Sequence, residues 1–384
     1  MKVCGIIAEF NPLHKGHHFL IQKAREQFQA DYIIVIMSGD HVQRGEPAIA
    51  DKYLRTQAAL QSGADLVLEL PVCFATGSAQ YFSRGAVAAL LATGVIDFLL
   101  FGSESGDLSM LHSFSAVDVS LRTGEQLLPN NQLGIEYLRA YEYLDPTSQK
   151  GVSFQTIARI GSGHHNQSIC NGYCSATYLR SLLQNNDITQ INNVVPQFYL
   201  ETLYDYYSSH HKMTLNSYQS SLYYALLVNK VNGYTDFFDV YPDLSDKIAK
   251  QLSDYTNPID YCTLLKSKDI TLTHIRRALL HILLGIRTSL VEILISKYSY
   301  CAYLRILGMN TLASPLLHAV KSNASCPLLS KLADARKSLA EDSLALLQQD
   351  IFASELYQYT SSISKKACIH NEYRQNIVTI QRCD

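Results

Sequence analysis

Tryptophan is absent from the 384 residues, and charge is sparse, with Asp, Glu, Lys and Arg making up only 17%. Against 47% hydrophobic residues, so little charge excludes a disordered chain. The net charge of −2 excludes a polycationic nucleic-acid binder. Nineteen glycines and ten prolines are too few for a collagen-like or low-complexity protein. The nine cysteines (Cys4, Cys73, Cys170, Cys174, Cys262, Cys301, Cys326, Cys368 and Cys383) are odd in number and include no C-x-x-C pair. That argues against a disulfide framework or a zinc knuckle and fits a reducing cytosol. Long hydrophobic runs are also missing. The longest, Ala86 to Phe101, is interrupted by Thr93, Gly94 and Asp97, and reads as a helix followed by a strand rather than a membrane span. Met1 to Ala8 leads directly into Glu9 and a polar loop, so no secretory signal is expected.

What is present is enough apolar residue for a large core and length for two or three domains. The charge is unevenly spread: residues 1–200 balance at −4 and residues 201–384 at +2, so a phosphate-rich partner would touch the second half. The first 105 residues alternate. Val3–Ala8, Tyr32–Met37, Asp65–Leu70 and Val95–Phe101 are short apolar runs, as buried parallel strands require. His17–Phe28, Ala48–Ser62 and Ser78–Ala92 carry helical periodicity between them. This rhythm implies right-handed crossovers and a parallel sheet, whose ligands sit at the carboxyl ends of the strands. Three polar, glycine-containing loops fall at those ends: Glu9–His18, Ser38–Pro47 and Phe101–Glu104. A helix is expected at Ile135–Tyr143, a last strand at Val152–Ile160, and another helix from Ser175.

From about residue 195 strand alternation nearly vanishes. Helical periodicity covers Tyr218–Val231, Leu244–Leu252, His274–Leu284, Leu290–Ser296, Thr311–Lys321, Leu328–Leu347 and Asp350–Tyr359. The expected fold is therefore α/β: a Rossmann-like parallel-sheet domain over residues 1–190, followed by a mostly α-helical domain over 195–384.

His14-Lys15-Gly16-His17 follows an apolar strand and opens a helix. A helix N-terminus offers unpaired N–H groups and partial positive charge to a phosphate, and Gly16 permits close backbone approach. Imidazoles at i and i+3 share one helix face and can donate to phosphate oxygens as charge builds in transfer to an α-phosphorus.

These four residues resemble the H-x-G-H signature of the nucleotidylyltransferase superfamily, and Ser175-Ala176-Thr177-Tyr178-Leu179-Arg180 resembles its second signature. Gly5–Pro12, Met37–Asp40, Gln43–Ala48, Ala64–Pro71, Phe101–Glu104 and Leu133–Tyr137 narrow the resemblance to the bacterial tRNA(Met) cytidine acetate ligase family, densely over residues 3–180. The resemblance implies ATP-dependent activation of acetate to acetyl-adenylate, with release of pyrophosphate. The acetyl group then passes to N4 of the wobble cytidine of elongator tRNA(Met), giving N4-acetylcytidine. It implies His14, His17 and Arg180 as catalytic residues. It implies an ATP-wrapping loop of Ile7, Ala8, Glu9, Phe10, Asn11, Pro12, Leu13, His14, Lys15, Gly16, His17, His18, Phe19 and Leu20. Gly102 would lie close to the nucleotide. Ser175 and Thr177 would donate from a helix start, Arg180 would reach the phosphates, and Asn166 is the candidate for a binding asparagine. Mg²⁺ is expected on the β- and γ-phosphates, no protein metal site is expected, and the cytoplasm is the expected compartment. A small-molecule adenylyltransferase and a non-catalytic ATP- or RNA-binding module are the alternatives; the length of the helical half disfavours the first and the two intact signatures the second.

Other residues stay open. Asp40 and Glu104 suit a Mg²⁺ ion or the cytidine amine as well as helix capping. Arg44 suits a phosphate or tRNA contact as well as a structural ion pair. His164-His165 read as loop, and His210-His211 and Lys365-Lys366 as solvated surface. Tyr204, Tyr206, Tyr207, Tyr298, Tyr300 and Tyr303 read as packing rather than base stacking. Lys266, Lys268, Arg276 and Arg277 are expected to favour tRNA binding.

Overall fold

A computed structural model describes residues 1–117, 128–160, 169–362 and 371–381. Its strands are β1 (Val3–Ala8), β2 (Tyr32–Ser38), β3 (His41–Val42), β4 (Glu46–Pro47), β5 (Leu66–Leu70), β6 (Phe98–Ser103), β7 (Ser153–Ala158), β8 (Leu304–Asn310), β9 (Leu328–Leu329) and β10 (Val378–Ile380). The main sheet runs β10-β8-β5-β2-β1-β6-β7, with β9 beside β8, while β3 and β4 form a separate hairpin. From β5 to β7 every pairing is parallel. The strand order reverses at β1, which pairs with β2 on one side and β6 on the other. The carboxyl ends of β1 and β6 therefore flank the switch point, where such sheets bind ligands.

The unbroken apolar strands are explained by burial on both faces. Ile34, Ile36, Leu66, Leu68, Leu99 and Phe101 pack into one core, and Ile33, Val35, Met37, Val67, Phe98 and Leu100 into the other. Each fully buried aliphatic side chain contributes roughly 1.5–3 kcal/mol relative to exposure. Helices Ala79–Ala92 and Pro129–Leu144 cover the first face. Helices Lys15–Glu26, Lys52–Gln61, Ala176–Gln184 and Gln197–Ser209 cover the second.

The second half is mainly helical, but it also feeds the sheet. β8 pairs antiparallel with β5, and β9 and β10 pair parallel with β8. The expectation that strands nearly vanish beyond residue 195 is thus corrected, and the two halves share one sheet and one large core. The single helix expected over Leu328–Leu347 is also corrected. Leu328 and Leu329 give their backbone groups to Leu304 and Arg305, and the long helix begins only at Glu341 and runs to Ser362. Asn166, His164-His165 and Lys365-Lys366 lie outside the described residues. Among the described residues no helix is long and apolar enough to cross a membrane.

Candidate active site

The site forms where β1 gives way to helix Lys15–Glu26. His14 is the N-cap of that helix, with extended backbone, and its Nδ1 accepts from the N–H groups of Gly16 at 3.0 Å and His17 at 3.4 Å. His17 Nδ1 in turn accepts from the His14 N–H at 3.3 Å. This is a reciprocal capping box made from two histidines in place of the usual hydroxyl and carboxylate. The rings stack at 3.7 Å between centroids, and the edge of Phe10 meets His17 at 5.1 Å.

The cap fixes the chemistry of both rings. Because each Nδ1 accepts, each neutral ring carries its proton on Nε2. Burial holds both neutral: His14 is pushed down to about 3 by desolvation, then by the charges of Arg159 and Arg180. His17 lies well below the usual histidine range through burial, then His14 and Arg159. His14 Nε2 is buried without a hydrogen-bond partner, so a donor worth 1–3 kcal/mol stands unsatisfied until a ligand oxygen meets it. That orphan fits a phosphate.

Gly16 has a reason beyond phosphate approach. A Cβ there would lie 2.9 Å from His14 Cε1 and 3.0 Å from Nδ1, so the glycine makes room for the capping ring. Within Ile7–Leu20 the roles divide. Ile7, Phe10 and Leu13 are core side chains that anchor the loop. Glu9 accepts from the Gln43 N–H at 2.8 Å, and Asn11 Oδ1 from the Ile49 N–H at 2.8 Å, which ties the loop to the segment after β2. Lys15 Nζ donates to the Asn193 carbonyl at 2.7 Å, and His18 packs against Phe198, so both point away from the histidine pair. Phe19 and Leu20 are half-buried along the helix.

Arg180 comes from helix Ala176–Gln184. Ser175 caps that helix by accepting from the Tyr178 N–H at 3.1 Å. Arg180 donates to the Asn11 carbonyl at 2.9 Å and to Thr177 Oγ1 at 3.1 Å, neutral acceptors only. Gly102 lies next to the carboxyl end of β6, opposite Ile157 of β7. His14, His17, Gly102 and Arg180 are therefore gathered at one carboxyl edge. Ser175 and Thr177 spend their hydroxyls on the helix start and on Arg180.

Two arginines escaped the sequence reading. Arg159 follows β7, and its Cγ would stand 3.2 Å from a Cβ at Gly102, so its stem crosses that glycine. Its charge reaches both histidines. A basic residue at the carboxyl end of the last parallel strand was the available signal. Arg55 is fully buried and clamps the carbonyls of Glu9 at 2.7 Å, Ser38 at 3.0 Å and Ala50 at 2.9 Å, together with that of Gly39. It locks the loops after β1 and β2 together. Its position among Leu54, Ala58 and Ala59 hid it as an ordinary helical arginine.

Asp40 and Glu104 are resolved as helix caps. Asp40 accepts from the Lys52 N–H at 2.7 Å, and burial pushes its carboxyl up to about 6. Glu104 accepts from the Asn130 and Asn131 N–H groups at 3.2 and 2.7 Å, at the start of helix Pro129–Leu144. Among the described residues no group of three or more His, Cys, Asp or Glu stands where it could hold a metal ion. Arg276 pairs with Glu46, and Arg277 with Asp239 at 3.2 Å. Lys266 and Lys268 are exposed. Tyr206, Tyr207, Tyr300 and Tyr303 are buried, in keeping with packing.

A family model described as HIGH Nucleotidyl Transferase matches residues 1–127 and 117–372. A tRNA(Met) cytidine acetate ligase from Caldanaerobacter subterraneus subsp. tengcongensis is 33% identical, covering 93% of this chain and 95% of that protein. Another from Thermoanaerobacter sp. is 31% identical over 96% and 99%. The crystal structure of Thermotoga maritima TmcAL bound with alpha-thio ATP superposes with a TM-score of 0.88 at 24% identity, covering all of both chains. The apo form of the same protein gives 0.88 at 25% identity, again over both full chains.

Proposed function

We infer the reaction of this chain from its family: it belongs to the tRNA(Met) cytidine acetate ligases, within the HIGH nucleotidyl transferases. It is an ATP-dependent ligase. It joins acetate to AMP with loss of pyrophosphate, then passes the acetyl group to N4 of the wobble cytidine of elongator tRNA(Met). The observation that carries the assignment of the site is the buried, unpartnered His14 Nε2 beside the stacked His17 ring at a helix N-terminus.

The acetate carboxylate is ionised near pH 7 and needs no general base. Its attack on the α-phosphorus must overcome like-charge repulsion and be held in line. The neutral histidines donate Nε2–H to α-phosphate oxygens, where charge develops; the positive charge comes from Arg159, Arg180 and the helix N-terminus. Gly102 leaves room for Arg159 on the nucleotide side. The stretch Ile7–Leu20 supplies backbone and capping geometry, while most of its side chains hold the loop. Ser175 and Thr177 present Arg180, and Asn166 is retained as a candidate for nucleotide contact. Mg²⁺ would travel on the phosphate oxygens, since Asp40 and Glu104 are taken up by helix N–H groups and Glu9 by the Gln43 N–H; no step depends on it. In the second step the cytidine amine attacks the acetyl carbonyl carbon, AMP departs with the bonding pair, and the amine loses a proton. Residues 1–190 carry the adenylation, and residues 195–384 contribute the tRNA surface, with Lys266 and Lys268 as its basic residues. The compartment is the cytoplasm, where tRNA is modified.

Acetate-dependent exchange between pyrophosphate and ATP tests the first step separately from the second. Exchange that needs acetate supports the ligase reading. Exchange driven by a phosphorylated cofactor precursor instead would favour a small-molecule adenylyltransferase. Mass spectrometry of tRNA nucleosides from a strain lacking the protein tests the second step, and N4-acetylcytidine should be missing.

A further inference from the structure

From residue 33 to residue 50 only Arg44 is exposed. It sits at the tip of the β3–β4 hairpin, and that hairpin is fixed at several points. The Gln43 N–H donates to Glu9 Oε1 at 2.8 Å, and the Ala48 N–H to the Asp40 carbonyl at 2.8 Å. Glu46 pairs with Arg276. Gly45 has φ +72°, and a Cβ there would lie 2.4 Å from the Arg277 nitrogen, so the turn rests directly on the backbone of helix Leu272–Leu284. A turn this constrained fixes where the Arg44 side chain leaves the backbone, so binding has to order the side chain alone and not the loop.

Among the described residues Arg44 makes no hydrogen bond or ion pair. The acidic groups around it are engaged elsewhere, Glu9 with Gln43 and Glu46 with Arg276. The segment Glu9–Asn11 receives both Gln43 and Arg180, which brings the hairpin and the phosphate arginine to the same place. After burial, the charge of Arg44 is the largest influence on Arg180 and disfavours its cation, while Glu9 and Glu46 act the other way. Among the described residues Arg180 itself has only neutral hydrogen-bond acceptors. Glu9 and Glu46 offset part of the repulsion between Arg44 and Arg180 but neither forms an ion pair with Arg180, so an anion between the two guanidinium groups converts what remains to attraction.

We propose, building on the ligase reading, that Arg44 and Arg180 together bind the β- and γ-phosphates of ATP, with Arg44 holding the pyrophosphate leaving group. When the acetate oxygen bonds to the α-phosphorus, the bond from that phosphorus to the α–β bridging oxygen breaks. The electron pair leaves with pyrophosphate, whose added charge the two arginines neutralise. A pyrophosphoryl group carries several negative charges and matches two guanidinium groups. A tRNA phosphodiester carries one.

The test compares ATP with AMP, which lacks the two outer phosphates. R44Q should bind ATP roughly 10- to 100-fold more weakly by calorimetry while binding AMP as the wild type does. In acetate-dependent exchange its KM for pyrophosphate should rise by a similar factor, with KM for acetate and tRNA unchanged, and R44K should recover part of the loss. Unchanged ATP binding, an equal loss for AMP, or a shift confined to the tRNA KM would each overturn the proposal. Wild-type exchange that ignores acetate would sink the ligase reading instead, and would leave the ATP–AMP comparison standing.

Discussion

Two charged regions of this molecule are built on opposite rules. One lies between β5, β8 and the C-terminal segment. There Lys52 contacts Glu69 at 2.9 Å and Glu372 at 3.0 Å, and Arg305 contacts the same two carboxylates at 2.8 and 2.6 Å. All four side chains are almost wholly buried, and Ser354 joins Asp40 to Glu372 at 2.5 and 2.9 Å. The other lies at the carboxyl edge of β1. There, among the described residues, an exposed arginine has no partner, a second rests on neutral oxygens, and a buried imidazole N–H meets no acceptor. The closed cluster joins the two halves of the chain. The open edge keeps donors and cations in reserve, and free energy left unclaimed by the protein is available to a substrate.

The sharpest way to break the comparison is to cut the closed cluster. Arg305→Ala leaves Lys52 as the one cation facing two buried carboxylates and should cost about 3–5 kcal/mol in urea unfolding. Adenylation per folded molecule should stay near wild type. If it fell along with stability, the two regions would not be separate.

The second largest effect is a pH dependence. Unfolded, His14 takes a proton near pH 6.5; folded, it resists until about 3. It therefore contributes stability above pH 6.5 that is lost as pH falls below it, by about 2 kcal/mol at pH 5. Asp40 in the cluster works the other way. Its folded value near 6 gives stability at low pH that is lost as pH rises through about 6. Unfolding curves at pH 7 and pH 5 should show a smaller acid loss for His14→Gln than for the wild type.

Glycine substitutions at the open edge come next. Gly16→Ala must push the His14 ring out of its cap, where the contact would be 2.9 Å, and should slow adenylation about tenfold, roughly 1.4 kcal/mol. Gly102→Ala meets the flexible stem of Arg159 at 3.2 Å and should raise the KM for ATP only a few-fold. Parallel steady-state kinetics on the two variants would check that order.

The open edge was readable in the sequence because its features are local. A strand, H-x-G-H and a helix lie within one stretch, and Ser175 to Arg180 within another. The closed cluster was not readable. β8 carries Arg305 in the middle of Leu304–Leu307, which breaks an apolar pattern, and that charge is tolerable only because Glu69 and Glu372 meet it from distant segments. β10 lies in a polar tail and forms only because β8 offers it an edge. For Asp40 and Glu104 the sequence leaves ligand and helix cap equally open, because the N–H groups they accept from lie 12 to 27 residues further along the chain.

The central claim is that the histidine pair at the β1 edge carries adenylation, and His17→Ala tests it most directly. The measurement is acetate-dependent exchange of pyrophosphate into ATP, alongside a thermal melt of the same sample. His17→Ala removes one half of the capping box and no core side chain, so the melt should show a loss of no more than about 2 kcal/mol. Exchange should fall about 100- to 1,000-fold, the loss of one donor to developing charge, roughly 2.7–4 kcal/mol. A folded His17→Ala protein that exchanges at the wild-type rate would contradict the account and place the chemistry elsewhere.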